Sequence, residues 1–242
     1  MSWQPTSTTV HEWGLYQIVV GPYGGTPTDV TYFRGVPTII DSYSFQEPYG
    51  EAAAQVTFPH VTEFDEVGVE GSETEWLKVG NDLTINRVDT SGGIHTVWCG
   101  FIMNLEASFS ETGGGITVQC AGAFAGEIAL KMMRPEFYPM ERDIAVHLNR
   151  ILTDGPYQDF SPNPWNYRFK YKGAAAIDSP DGTIGIMSRK GGSRNQTILD
   201  YCDELLAMAM DPVYNKQWTI GRVRDNGEPK ERTYELRRKA YE

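Results

Sequence analysis

The chain has 242 residues, 12% of them aromatic, with 6 tryptophans and 13 tyrosines; that is enough length and apolar mass for one large or two modest cores, and it excludes a disordered chain. Its net charge of −11 is unevenly placed: residues 1–127 hold 16 acidic and 3 basic side chains, and the remainder 16 acidic and 18 basic. The acidic half repels nucleic acid, no apolar run approaches the roughly 20 residues of a membrane helix, and three cysteines without CxxC spacing argue against a zinc site or a disulfide framework and for buried thiols.

In chain order, the lead MSWQPTSTTVHEWG lacks the basic-then-apolar pattern of a signal peptide, so synthesis in a cytoplasm is expected. EWGLYQIVV predicts a strand, and GPYGGTPTD a loop. Short strands follow over Val30–Phe33 and Val36–Ser44, then AAAQVTF, closed by Pro59, whose missing N–H ends a ladder. His60 to Glu75 is an acidic loop carrying Glu63, Asp65, Glu66, Glu70, Glu73 and Glu75. Its spacing matches no calcium loop, and a solvated loop is the plain reading.

Asp82 to Gly122 reads as an antiparallel meander. In the first run Leu83, Ile85 and Arg87 share one face, with Thr84, Asn86 and Val88 on the other. DTSGGI turns the chain, with Gly92 and Gly93 available for positive φ. The second run, His95 to Phe109, places Val97, Cys99, Phe101, Met103 and Leu105 at period two, so Phe101, Met103 and Leu105 are expected inward and Ile102 and Asn104 outward. Gly100 marks a bulge or a close backbone approach. Gly113 to Gly115 is read as the next turn, and Ile116, Val118 and Cys120 then share one face. Such strand glycines imply a curved sheet of the kind that closes small barrels.

After Cys120 the period changes. Phe124, Ile128 and Met132 predict a helical turn or two before Pro135; MERDIAVHLNRIL is a helix with Ile144, Leu148, Ile151 and Leu152 in one stripe, stopped at Gly155-Pro156. SPNPWNYRFKY reads as a linker, and Ala174–Ile177 with Thr183–Met187 as a strand-turn-strand around DSPDG. QTILDYCDELLAMAM is the second clear helix, with Ile198, Cys202, Leu205, Leu206 and Ala209 inward. QWTIGRV is a strand, and DNGEPKERTYELRRKAYE holds an Asn-Gly turn before a polar strand or tail. The fold class these elements support is β-rich α+β, a curved antiparallel sheet of the barrel-closing kind followed by short helices.

The residues offer no catalytic signature, and the chain is read as not an enzyme. HEWGL at His11 lacks the second histidine of HExxH; His60 and His147 are far apart in sequence, and His147 is read as a helix-flank residue rather than a ligand. GxSxG, P-loop and GxGxxG are absent. Asp178 and Asp181 suit a turn better than a carboxylate pair, and Asn195-Gln196-Thr197 matters only on a secreted chain. Trp76, Trp98, Trp165 and Trp218 could stack on sugars, but core packing is the simpler use. No cofactor or metal is expected.

FQEPYGEAAAQVTFPHVTEFD, followed by WLKVGNDLTINRVDTSGGIHTVWCGFIMNLEASFSETGGGITVQCAGA, resembles the N-terminal region of tail-hub (minor tail) proteins of long-tailed phages, particularly those of actinobacteria, which are similar to baseplate hubs of contractile phages. The two helices leading into QWTI resemble those joining hub domains, so the resemblance spans residues 36–221. It implies two related β-barrels: residues 1–127 as an acidic N-terminal barrel, 128–170 as helix and linker, and 171–242 as a second α+β region completing the hub. It further implies a virion protein at the tail tip, a homotrimeric ring joining tail tube to tip. The partners would be the distal tail protein, the tail tube, the tape-measure protein and other tip proteins; DNA would pass without specific binding, and there would be no stable membrane insertion. Glu63, Asp65, Glu66, Glu70, Glu73, Glu75 and Asp82 would then line the lumen, unneutralised by cations. Hub proteins of this kind are often longer. The competing readings are a tail-associated cell-wall hydrolase, which requires convergent acid and base groups, and a carbohydrate-binding module, which requires exposed tryptophans.

Overall fold

The computed structural model describes residues 9–11, 14–22, 25–46, 49–59, 61–62, 64–110, 113–132, 142–149, 151–152, 170–173, 186–187, 196–211, 216–220, 224–225 and 231–238. Two compact units are distinguished: Met1–Phe45 with Glu51–Ala123, and Gln46–Gly50 with Phe124–Glu242.

In the first unit the strands are β1 (Thr9–His11), β2 (Gly14–Gly21), β3 (Thr28–Asp29), β4 (Tyr32–Phe33), β5 (Val36–Pro37), β6 (Ile39–Gln46), β7 (Gly50–Phe58), β8 (Asp82–Val88), β9 (Ile94–Ser110) and β10 (Gly113–Gly122). Eight of them form one sheet in the order β1-β2-β8-β9-β10-β7-β6, with β3 also on β2, and β4 and β5 make a separate hairpin. Every sheet pairing for which a register is resolved is antiparallel. The path is open: among the described residues no pairing joins β6 back to β1 or β3, so the closed barrel expected from the sequence is not formed by hydrogen bonding.

The core lies on one face of this sheet. Ile18 and Val20 of β2, Leu83 and Ile85 of β8, Trp98 and Ile102 of β9, Val118 of β10, Val56 and Phe58 of β7, and Val61 and Leu77 beyond the strands are all 0% exposed. Burial of this kind is worth roughly 25 cal/mol per Å² of apolar surface. The opposite face carries a transverse polar row at Gln17, Asn86 and Thr96, which are direct register partners across three strands. Thr96 Oγ1 donates to Asn86 Oδ1 at 3.0 Å, Asn86 Nδ2 to Gln17 Oε1 at 3.2 Å, and Gln17 Nε2 to Asp29 Oδ2 at 2.9 Å. A buried, satisfied amide chain of this kind fixes register, because a slip by one residue would leave its members unpaired.

Strand β9 departs from the expected period two. Opposite β8, Ile85 pairs with Trp98 but Asn86 with Thr96, so Val97 is an extra residue; opposite β10, Gln119 pairs with Asn104 but Cys120 with Ile102, so Met103 is another. Each bulge inverts the alternation of faces. Ile102 is therefore in the core at 0% exposure and Met103 is 42% exposed, the reverse of the expectation for both; Leu105 regains contact with the core, and Phe101 is buried without belonging to that cluster. Two turn assignments also change. Gly92 takes φ +84° but Gly93 does not need a positive φ. It matters instead for space, since an added Cβ would lie 2.5 Å from Asp89 Oδ2. The triple glycine lies within β10, with Gly113 opposite Ser110, rather than in the turn.

The second unit contains helices α1 (Ala123–Leu130), α2 (Ile144–Asn149) and α3 (Ile198–Met208), and strands β11 (Arg142–Asp143), β12 (Lys170–Gly173), β13 (Ile186–Met187), β14 (Met210–Asp211), β15 (Lys216–Ile220), β16 (Arg224–Asp225), β17 (Glu231–Tyr234) and β18 (Leu236–Arg238). They pair as small sheets, β12-β17-β16, β14-β15-β18 and β11-β13, and β12 with β17 is parallel. Among the described residues these small sheets do not make a second barrel. Helix α3 starts at a reciprocal capping box, in which Thr197 Oγ1 accepts from Asp200 N–H and the Asp200 carboxylate accepts from Thr197 N–H. The expected stripes are buried: Ile144, Leu148, Ile151 and Leu152 around α2, and Ile198, Cys202, Leu205, Leu206 and Ala209 on α3. Phe124 and Ile128 of α1 are buried, whereas Met132 lies beyond the helix and is exposed. Ala174–Ile177, DSPDG and most of SPNPWNYRFKY lie outside the described residues.

Candidate functional site

The acidic loop between β7 and β8 is built on the β4–β5 hairpin. Arg34 and Gly35 both take positive φ, +50° and +78°, the backbone of a type I′ two-residue turn. Arginine holds that conformation at a cost in strain. The turn aims its guanidinium at the loop: Nη1 and Nη2 donate to the two oxygens of Asp65 at 3.2 and 2.6 Å, and Nη2 and Nε to Glu73 Oε2 at 2.8 and 3.1 Å. The guanidinium carbon also lies 4.9 Å from the centre of the Phe33 ring. Phe33 meets Trp76 edge-on at 5.7 Å, and Trp76 meets Phe58 at 4.9 Å, so the clamp is anchored in the core.

The loop also holds itself. Thr62 donates twice to Asp65 Oδ2, Ser72 Oγ donates to the Glu66 and Val69 carbonyls, Gly71 N–H donates to Glu75 Oε2, and Trp76 Nε1–H donates to the Glu73 carbonyl. Arg34 hydrogen bonding holds the Asp65 carboxyl below its usual range, and Asp65 in turn holds the Arg34 guanidinium above its own. In the β8–β9 hairpin, hydrogen bonds from Ser91, Gly93 and His95 also hold the Asp89 carboxyl below its usual range. Both carboxyls are depressed in the folded state, so the stability they contribute is fully present above the ordinary carboxylate pKa of about 4. It is lost as pH falls through their folded values. Thermal unfolding should therefore be insensitive to these groups between about pH 5 and 8 and should shift downward below about pH 4, and Asp65→Asn should remove part of that acid-side slope.

The lumen candidates divide. Glu63 lies outside the described residues. Glu66, Glu70, Glu73 and Glu75 are exposed, Asp65 is only 11% exposed at its side chain, and Asp82 is half-buried at the start of β8. Asp65 and Glu73 are already paired to Arg34, so these two do not meet the expectation of unneutralised charge. In TYFRGVP only Gly35 hints at a tight turn, and nothing local ties Arg34 to carboxylates 31 and 39 residues away.

Elsewhere, among the described residues, no group of three or more His, Cys, Asp or Glu could hold a metal ion. No described helix is long and apolar enough to cross a membrane. Cys99, Cys120 and Cys202 are buried and form no disulfide, with burial pushing Cys120 up to about 12 and out of reach as a thiolate nucleophile. His147 is 1% exposed, not on the helix flank, and its Nε2 lies 3.0 Å from Tyr201 Oη. Trp76 and Trp98 are buried and present no face to a sugar. Asp178, Asp181, Trp165, His60 and Asn195 lie outside the described residues, as do the side chains of His11 and Trp218.

No family model matches the chain, and no curated protein matches it. Among solved structures it is similar to the crystal structure of the 43 kDa tail protein of prophage MuSo2 from Shewanella oneidensis, at 13% identity and a TM-score of 0.49, covering 90% of this chain and 54% of that one. The chain thus spans about half the length of that protein.

Proposed function

We propose that this chain is a structural component of a phage tail tip or baseplate. Its place is in a homotrimeric ring that joins the tail tube to the tip and lets DNA and the tape-measure protein pass. The observation that carries the reading is the Asp82–Gly122 stretch, on which the sequence resemblance rests. It folds as three consecutive antiparallel strands, β8, β9 and β10, at the centre of the first unit's sheet. The acidic balance of residues 1–127 supports passage of DNA without adhesion, since like charge repels a phosphate backbone over about a Debye length, roughly 8 Å at physiological salt. The chain performs no catalysis in this reading.

The test is electron cryo-microscopy of assembled tails carrying an epitope-tagged copy of the chain. The expected result is density for the first unit in a threefold ring at the junction of tube and tip, enclosing a channel wide enough for duplex DNA. A chain missing from purified tails, or lying on the outside away from the axial channel, would overturn the assignment. Incubation with host cell wall should release no soluble fragments; release abolished by a single Asp or Glu substitution would favour the hydrolase.

A further inference from the structure

Phe64 is 87% exposed, while the other exposed large apolar side chains among the described residues lie between 40 and 59%. It sits next to Asp65, whose two carboxylate oxygens are held by Arg34 and Thr62. Position 64 is therefore set beside a hydrogen-bonded turn. Glu66, Val69 and Glu70 are exposed on the same short stretch. An aromatic ring left in water beside a hydrogen-bonded turn has the character of an interface anchor, because its hydrogen-bonded neighbours need less ordering when it is buried.

The charge around it selects the partner. Glu66 and Glu70 repel nucleic acid and anionic lipid alike, and residues 1–127 carry only 3 basic side chains to offset 16 acidic ones. We infer that the Arg34-clamped loop is a docking knob: Phe64 inserts into an apolar pocket on another protein of the tail, and Lys or Arg side chains at that pocket's rim meet Glu66 and Glu70. This rests on the tail reading and replaces, for these residues, a place on the lumen wall.

The experiment introduces a photo-crosslinking phenylalanine analogue at position 64 of the full chain, in producing cells and in finished tails, alongside Phe64→Ala, Phe64→Leu and the double variant Glu66→Lys/Glu70→Lys. The expected result is a cross-link to one other protein, mapped by mass spectrometry to an apolar site flanked by Lys or Arg. Phe64→Ala should cut incorporation into tails at least about tenfold, as loss of an anchor does. Phe64→Leu should restore most of it, and the double variant should cut it in a salt-dependent way. All four should melt with the parent chain, since the side chains are exposed. A cross-link to a second copy, to DNA or lipid, or to nothing in either setting would overturn the inference. So would normal incorporation of the double variant with slowed genome ejection, which is what a lumen wall predicts. If the chain is absent from tails, the tail reading fails with this one. If it is present but has no partner at position 64, only this inference fails.

Discussion

Ile102→Ala should lower unfolding stability by about 2–5 kcal/mol, whereas Met103→Ala, one residue later, should change it by less than about 1 kcal/mol. The contrast comes from the bulge opposite Gln119 and Cys120, which places Ile102 at 0% exposure in the core and Met103 at 42% exposure. A regular strand would give the opposite order. Trp98→Ala should be comparably severe at about 3–5 kcal/mol, since its ring is fully enclosed. Chemical denaturation of the three variants, with midpoints and slopes fitted separately, checks this. Equal losses at positions 102 and 103 would show that the bulge is misplaced. The full alanine scan of β9 should show two interruptions of its alternation, at Val97 and Met103.

Much of the fold was legible because it depends on local pattern. Strands β2, β7, β8 and β10 follow runs of alternating or β-branched residues bounded by Gly and Pro, and α3 follows a helical stripe behind a capping threonine. The two bulges were not legible, since a single chain shows its own alternation but not the partner strand that lacks a residue. Closure of the sheet is likewise a matter of which edges meet, and neither β6 nor β1 carries a local signal for that. At the candidate site the carboxylates were visible, but their counter-ion was not. Arg34 lies 31 residues before Asp65 and 39 before Glu73, and only the turn it occupies brings them together. His147 and Tyr201 illustrate the same limit, being partners 54 positions apart on separate helices.

Gly100→Ala should be among the most damaging single-methyl changes in the first unit. Gly100 pairs with Gly122 across β9 and β10 and lies between the two bulges, so its backbone sits closer to neighbouring groups than a regular ladder requires. A Cβ built there would fall 2.0 Å from the Ala121 carbonyl oxygen and 2.5 Å from the Trp98 ring. The first obstacle is backbone in the centre of a sheet and the second is a fully buried ring, so neither can yield by rotating a flexible end. Overpacking costs about 1–3 kcal/mol where neighbours can relax, and more where they cannot. The expectation for Gly100→Ala is therefore a loss of at least about 3 kcal/mol, seen as a falling denaturation midpoint or as failure to accumulate in soluble form. The second-site change Trp98→Phe should recover only part of the loss, because it removes the ring contact and leaves the carbonyl in place. Full recovery in that double variant would mean that the ring alone makes Gly100 necessary, and a Gly100→Ala chain that melts with the parent would mean that β9 and β10 are further apart at this point than the structure has them.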